Sequence, residues 1–302
     1  MARFVTSVLS DQPGTFGPPT RAAVEAFQRQ RGLRIDGIVG RHTWATLVEA
    51  GFGLGDRLLY RTDPLLRGDD VADLQTRLCS LGFDTGRVDG IYGEATAHAV
   101  AEFQRNLKLS VDGIAGSTTI DELARIGGNT STSSLVTTVR EQANRHHASS
   151  TLEGTRIGLT CHDELSNIAA GVGSRLGAAG ALVVSLGGSS EVEHAAEANT
   201  AQVDLVISLH LGALTRIAHY RSHSYESVAG QELSALLATA LSTIPGISAE
   251  PEGMYFALLR ETKMVAVVIE LAASDTLAEQ ASDIASAITS ATVTWATGAS
   301  IH

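Results

Sequence analysis

Four side chains in the second half of the chain have types and positions suited to hydrolysis. His162 and Glu164 follow the short apolar run Ile157-Gly158-Leu159, His210 closes Leu205-Val206-Ile207-Ser208-Leu209, and Glu270 closes Val265-Ala266-Val267-Val268-Ile269. Ligands of open α/β sheets gather beyond the carboxyl ends of strands. Titratable groups at three such ends therefore argue for one shared site. A His/Glu/His set made of His162, Glu164 and His210 is a familiar zinc complement, and it leaves Glu270 to handle protons. His162 and Glu164 are two positions apart, and helical neighbours at that spacing point in different directions. Both can face one metal only if His162 precedes the helix.

Each of these residues also has a plainer reading. Thr160 and Asp163 have a capping-box-like spacing, and acidic groups in a first turn favour the helix dipole without any metal. His210 could be a satisfied buried histidine. Glu270 interrupts an apolar run, where a carboxylate is costly unless paired. His219 and His223 alternate with other polar side chains between Ile217 and Tyr225, so they are expected to line an exposed strand face. His146-His147 reads as solvated. Arg260 could orient substrate carboxylates, pair with Glu270, or sit on the surface.

The elements that must position these groups form an α/β domain. Continuous apolar runs at 157–159, 181–184, 205–209 and 265–269 suit strands buried on both faces. Helical patterns fall near 164–179, 191–202, 228–243 and 276–291. Such alternation predicts a mostly parallel sheet flanked by helices.

The first half has a different texture. Ala23 to Leu47 and Ala99 to Leu123 are two copies of one pattern. Val24, Phe27, Gln28, Asp36, Gly37 and Thr43 recur as Val100, Phe103, Gln104, Asp112, Gly113 and Thr119. Duplication at a fixed offset means one structural unit used twice. Ala99, Val100, Phe103 and Leu107 share a helical face. Asp112-Gly113 marks a tight turn, and Thr118 or Thr119 can cap the helix after it. With an upstream helix carrying Val71, Leu74, Leu78 and Leu81, this makes a three-helix module of about 60 residues. Projected backward, the opening helix of the first copy falls before Met1, so that copy is shortened. Gly127 to Ser134 reads as a flexible linker and Leu135 to His147 as a polar helix. The expected domains are 1–55 and 56–126 as modules, 127–154 as linker and 155–302 as the α/β domain.

Bulk properties bound the function. Across 302 residues the net charge is −11 and 44% are hydrophobic. That balance argues against nucleic acid, which needs a clustered basic surface. Cys79 and Cys161 form neither a metal spacing nor a disulfide framework, and Cys79 reads as a small core residue. No apolar run is long enough for a membrane span. The first residues lack the basic start and apolar core of a signal peptide, which makes the cytoplasm the default location and the cell wall or exterior the location if a leader precedes Met1.

Two resemblances follow from these residues. Gly68-Asp69-Asp70-Val71, Leu74-Gln75, Val88-Asp89-Gly90, Tyr92-Gly93, Phe103-Gln104 and Asp112-Gly113 resemble the three-helix peptidoglycan-binding modules of bacterial wall hydrolases. That resemblance implies binding to cell-wall glycan or stem peptide. From Arg156 onward the chain resembles zinc-dependent N-acetylmuramoyl-L-alanine amidases of the amidase-3 type. Ser208-Leu209-His210, Val267-Val268-Ile269-Glu270, Glu164-Leu165 with Asn167, Ala198-Asn199 and Leu258-Leu259-Arg260 carry it. The implied enzyme binds zinc through His162, Glu164 and His210 and uses Glu270 as the proton carrier. The family's Asp-Pro-Gly-His-Gly-Gly loop after the first strand is missing here, and His162 stands in for its histidine. The alternative is a catalytically impaired amidase-like regulator or scaffold of peptidoglycan synthesis.

Overall fold

A computed structural model describes residues 11–126, 152–222 and 225–298. The expected linker, the polar helix at 135–147, His146-His147 and His223 lie outside the described residues. The chain divides into two compact units.

The first unit is helical, with α1 (Pro18–Gln30), α2 (Arg41–Glu49), α3 (Asp69–Ser80), α4 (Glu94–Asn106) and α5 (Ser117–Ile126). Leu74, Leu78, Tyr92, Val100, Phe103 and Leu123 are among the side chains of one core that also takes in Leu59. Burying such side chains stabilises by about 1.5–3 kcal/mol each. Cys79 is buried as expected and lies 3.0 Å from Thr85 Oγ1.

The repeated pattern encodes a hydrogen-bonded joint between helices. Gln104 Nε2 donates to Asp112 Oδ1 (2.8 Å), Ile114 O (3.0 Å) and Thr119 Oγ1 (3.1 Å). Its Oε1 accepts from the backbone N–H of Asp112 and Gly113 at 3.1 and 2.9 Å. Gln28 makes the same set with Asp36, Gly37, Ile38 and Thr43. The glycines are required because the turn has positive φ, 68° at Gly37 and 67° at Gly113. Thr118 and Thr119 lie inside α5 and are not its cap, contrary to what their sequence positions suggested. Thr119 Oγ1 instead donates back to Ile114 O at 3.4 Å, and α2 begins without a side-chain cap.

A third copy of the joint lies between α3 and α4. Gln75 Nε2 donates to Asp89 Oδ1, Ile91 O and Thr96 Oγ1, and its Oε1 accepts from the Asp89 and Gly90 N–H groups. Helix α4 thus closes one joint and opens the next. Thr20 of α1 matches Thr96 in sequence but bonds differently. Asp11 Oδ2 accepts from Thr20 N at 2.9 Å, Thr20 Oγ1 at 2.6 Å and Gly17 N at 3.2 Å.

The second unit is a six-stranded sheet of order β2-β1-β3-β6-β4-β5. Its strands are β1 (Arg156–Cys161), β2 (Leu182–Ser185), β3 (Leu205–Gly212), β4 (Arg216–Tyr220), β5 (Glu250–Met254) and β6 (Val265–Ala272). Helices α6 (Ser166–Ala178), α7 (Glu191–Ala201), α8 (Val228–Leu241), α9 (Ala257–Glu261) and α10 (Ala281–Thr297) cover it. β2, β1, β3 and β6 run parallel, while β4 runs antiparallel to β6. The mostly parallel α/β architecture is the expected one.

Strand alternation sorts the two faces. Ile157, Leu159, Ile207, Leu209, Val267 and Ile269 pack with α6, α8 and α10 in the main core, which reaches back to Leu152. Thr160, Ser208, His210 and Glu270 have the opposite parity and face the side of α7 and α9. Asn199 of α7 fastens that side, since its Nδ2 donates to Glu261 O and its Oδ1 accepts from Lys263 N, both at 2.8 Å. The last helix begins at Ala281 rather than near 276, the strand expected around His219 is β4, and β5 and α9 were not foreseen as elements.

Candidate active site

The register of the sheet lines up the candidate residues. His210 of β3 pairs with Glu270 of β6, and Glu270 pairs with Arg216 of β4. His162 follows β1 directly. Its N–H donates to Leu209 O at 2.9 Å, which extends the β1–β3 ladder by one step. The result is a row across four strands: His162, His210, Glu270, Arg216.

The two histidines meet ring on ring. Their centroids are 4.5 Å apart and their planes differ by 11°. One nitrogen of each is engaged by the fold. Leu211 N–H donates to His162 Nδ1 at 3.2 Å, and His210 Nε2 lies 2.9 Å from Ser208 Oγ. A neutral imidazole that accepts at Nδ1 carries its proton on Nε2. His162 is exposed and His210 half-buried.

Glu270 is the buried member, at 1% exposure. A carboxylate there needs compensation, and Arg216 Nε donates to its Oε2. Arg216 Nη1 also donates to Glu252 Oε2 of β5 at 3.1 Å. Burial works against the charge of Arg216. The hydrogen bond and charge of Glu270, helped by Glu252, outweigh it and hold the guanidinium above its ordinary value. Arg260, weighed from sequence as a partner of Glu270, instead bonds Glu261 at 3.0 Å and lies over the Tyr255 ring.

Glu164 stands apart from this row. It lies exposed in the 3-10 turn Asp163–Leu165, which leads into α6. His162 is the residue before that turn and makes no side-chain cap, so the capping-box reading of Thr160 and Asp163 does not describe the turn. Thr160 Oγ1 lies 3.2 Å from His194 Nε2 of α7. Burial, followed by the charge of Asp163, pushes the Cys161 thiol up, which disfavours its thiolate.

A zinc ion takes nitrogen donors at about 2.0–2.1 Å along their in-plane lone pairs. Nearly parallel stacked rings hold those lone pairs in nearly parallel planes, so His162 and His210 as arranged do not converge on one ion. No group of three or more His, Cys, Asp or Glu suited to a metal occurs among the described residues. The residues as placed do not fit zinc.

His219 was expected on an exposed face and is instead 2% exposed. It shares parity with Ile217, which turns it toward α8. There its Nδ1 lies 2.9 Å from Ser234 Oγ, while its Nε2 lies 2.8 Å from Glu226 Oε1. Arg216 was missed altogether from sequence. Its signal was its place at the start of an alternating run, and its function depends on β4 running in reverse.

The chain is 34% identical over 284 residues to N-acetylmuramoyl-L-alanine amidase CwlM of Mycobacterium tuberculosis, covering 82% of this chain and 70% of the relative. The chain belongs to the N-acetylmuramoyl-L-alanine amidase family. A profile of the peptidoglycan-binding domain matches residues 6–47 and 67–123 of this amidase-family chain, the two stretches that hold the repeated joints. The spore cortex-lytic enzyme of Oceanobacillus iheyensis is 45% identical over 58 residues, covering 19% of this chain and 21% of that protein. The crystal structure of an N-acetylmuramoyl-L-alanine amidase from Clostridium difficile 630 aligns at 16% identity with a TM-score of 0.42, covering 48% of this chain and 98% of that one.

Proposed function

We propose that this amidase-family chain binds peptidoglycan through its helical modules and hydrolyses the amide between N-acetylmuramic acid and L-alanine. The observation that carries the reading is the strand-end row, in which a buried carboxylate, Glu270, sits in register beside His210 in a chain that also has peptidoglycan-binding modules. Glu270 takes the proton of the attacking water and passes it to the leaving amine of L-alanine. The modules raise the local concentration of substrate at the second unit. Zinc is the metal that the family resemblance implies, and His162, Glu164 and His210 are the residues assigned to it. They do not converge in the arrangement described. No helix of the described residues is long and apolar enough to cross a membrane, and the proposed place of action is wherever the chain meets peptidoglycan.

The alternative, an impaired regulator or scaffold of peptidoglycan synthesis, is the less favoured, because the relatives are named as amidases. The deciding experiment incubates the full chain with purified peptidoglycan and zinc, and looks by mass spectrometry for stem peptides with a free L-alanine amine. Their release, lost in Glu270→Gln, is the expected result. Sedimentation with peptidoglycan without peptide release would sink the hydrolase reading and leave the scaffold.

A further inference from the structure

The row satisfies Glu270 with an internal cation. Arg216 is the first residue of β4, and because β4 runs antiparallel to β6, its start meets the carboxyl end of β6. A guanidinium is thereby delivered to the end of the sheet where ligands bind. Its side chain is 19% exposed, that of Glu270 2% and that of Glu252 45%. Arg216 thus bridges a buried carboxylate on one side and a surface carboxylate on the other.

We propose that Arg216 is a built-in counter-cation of Glu270 that competes with divalent zinc for the strand-end row, with Glu252 as the partner that retains Arg216 when Glu270 is released. The inference rests on the reading of Glu270 as the reacting carboxylate. The Arg216 guanidinium already offsets the charge of Glu270, which weakens the pull of that carboxylate on a dication. A dication placed beside Glu270 is repelled by the guanidinium at close range in a site shielded from water. Arg216 need not leave the protein surface to relieve that repulsion, since its Nη1 is already held by Glu252. Zinc would therefore be held weakly and only when supplied in excess.

The test is zinc affinity of the full chain, read by competition with a chromophoric chelator, with the fold checked by near-UV circular dichroism. Arg216→Gln removes the competitor and should bind zinc at least about tenfold tighter than wild type. Glu252→Gln lies at the surface and leaves Arg216 with Glu270 alone, so zinc binding should weaken by about threefold. The double variant should match Arg216→Gln, because Glu252 acts only through Arg216. Unchanged affinity in Arg216→Gln overturns the proposal, as does wild-type protein that keeps a full equivalent of zinc through dialysis against a chelator. Should Arg216→Gln not fold, Glu252→Gln decides, and an affinity equal to wild type rejects the competition. Hydrolysis does not enter the readout. Zinc shifts as expected in a chain that releases no peptide would sink only the amidase activity.

Discussion

His210 and Glu270 stand side by side at one register position on neighbouring parallel strands, one half-buried and the other sealed from solvent. Parallel register keeps both on the same face at the same sheet end. The pairing is built into the backbone ladder and does not depend on loops.

Replacing Glu270 tests its proton role. Glu270→Gln keeps size and one hydrogen-bond acceptor but cannot take a proton. Hydrolysis of peptidoglycan should fall by at least about a hundredfold, while co-sedimentation with peptidoglycan stays as in wild type. Arg216 loses one of its two charged partners and keeps Glu252, so stability should drop by about 1–3 kcal/mol, read from urea unfolding. Wild-type turnover in the variant would remove Glu270 from the mechanism.

The joints of the helical unit give a second prediction. Gln104→Ala removes five hydrogen bonds made by one nearly buried amide, at 2% exposure, and takes the Gln104 acceptor from the Asp112 and Gly113 N–H groups. The expected loss is about 2–4 kcal/mol in the stability of this unit. Hydrogen exchange should show it as faster exchange in α4 and α5 and no change in β3 or β6. An unaffected α4 would mean that the apolar core alone holds the turn.

These joints also show what the sequence could and could not convey. Gln28 and Gln104 stand at equal distances from their Asp-Gly turns, so their kinship is legible as text. Gln75 makes the same bonds to Asp89, Gly90 and Thr96 across a longer connection, and the extra residues hide it from a fixed-offset comparison. The parallel strands and the ends carrying His210 and Glu270 were legible because buried strands are unbroken apolar runs. β5 was not, since its residues Glu250-Pro251-Glu252-Gly253-Met254 carry no apolar alternation. The direction of β4, and with it the meeting of Arg216 with Glu270, depends on which neighbour it joins. His219 was misplaced for a related reason: alternation gave its parity correctly but not which face α8 would cover.

Separate folding of the two units is a third expectation. The core holding Leu59 to Leu123 and the core holding Leu152 to Ala291 share no side chain. A 56–126 fragment and a 152–302 fragment should each unfold cooperatively, and the shorter one should co-sediment with purified peptidoglycan. Limited proteolysis of the full chain should cut first within the Gly/Ser-rich stretch near 127–134. A short fragment that is folded yet stays in the supernatant would move wall binding to the first module or to the second unit.

The last prediction concerns pH. Burial lowers the His219 pKa from its ordinary 6.5, the charge of Arg221 pushes the same way, and the bond and charge of Glu226 oppose without prevailing. The folded protein therefore holds this imidazole neutral where the unfolded chain begins to protonate it. Below about pH 6.5 the unfolded state binds more protons at this position, and stability falls as pH falls. Above that value the contribution is fully present. His219→Gln removes the titration while leaving a side chain able to reach Ser234 or Glu226. The variant should be less stable than wild type at pH 7.5, by about 1–2 kcal/mol, and the gap should narrow toward pH 5.5. Melting temperatures measured across that range decide it. Curves for the two proteins that stay parallel from pH 7.5 to pH 5.5 would show that His219 does not titrate on unfolding, and would place the acid sensitivity of this fold elsewhere.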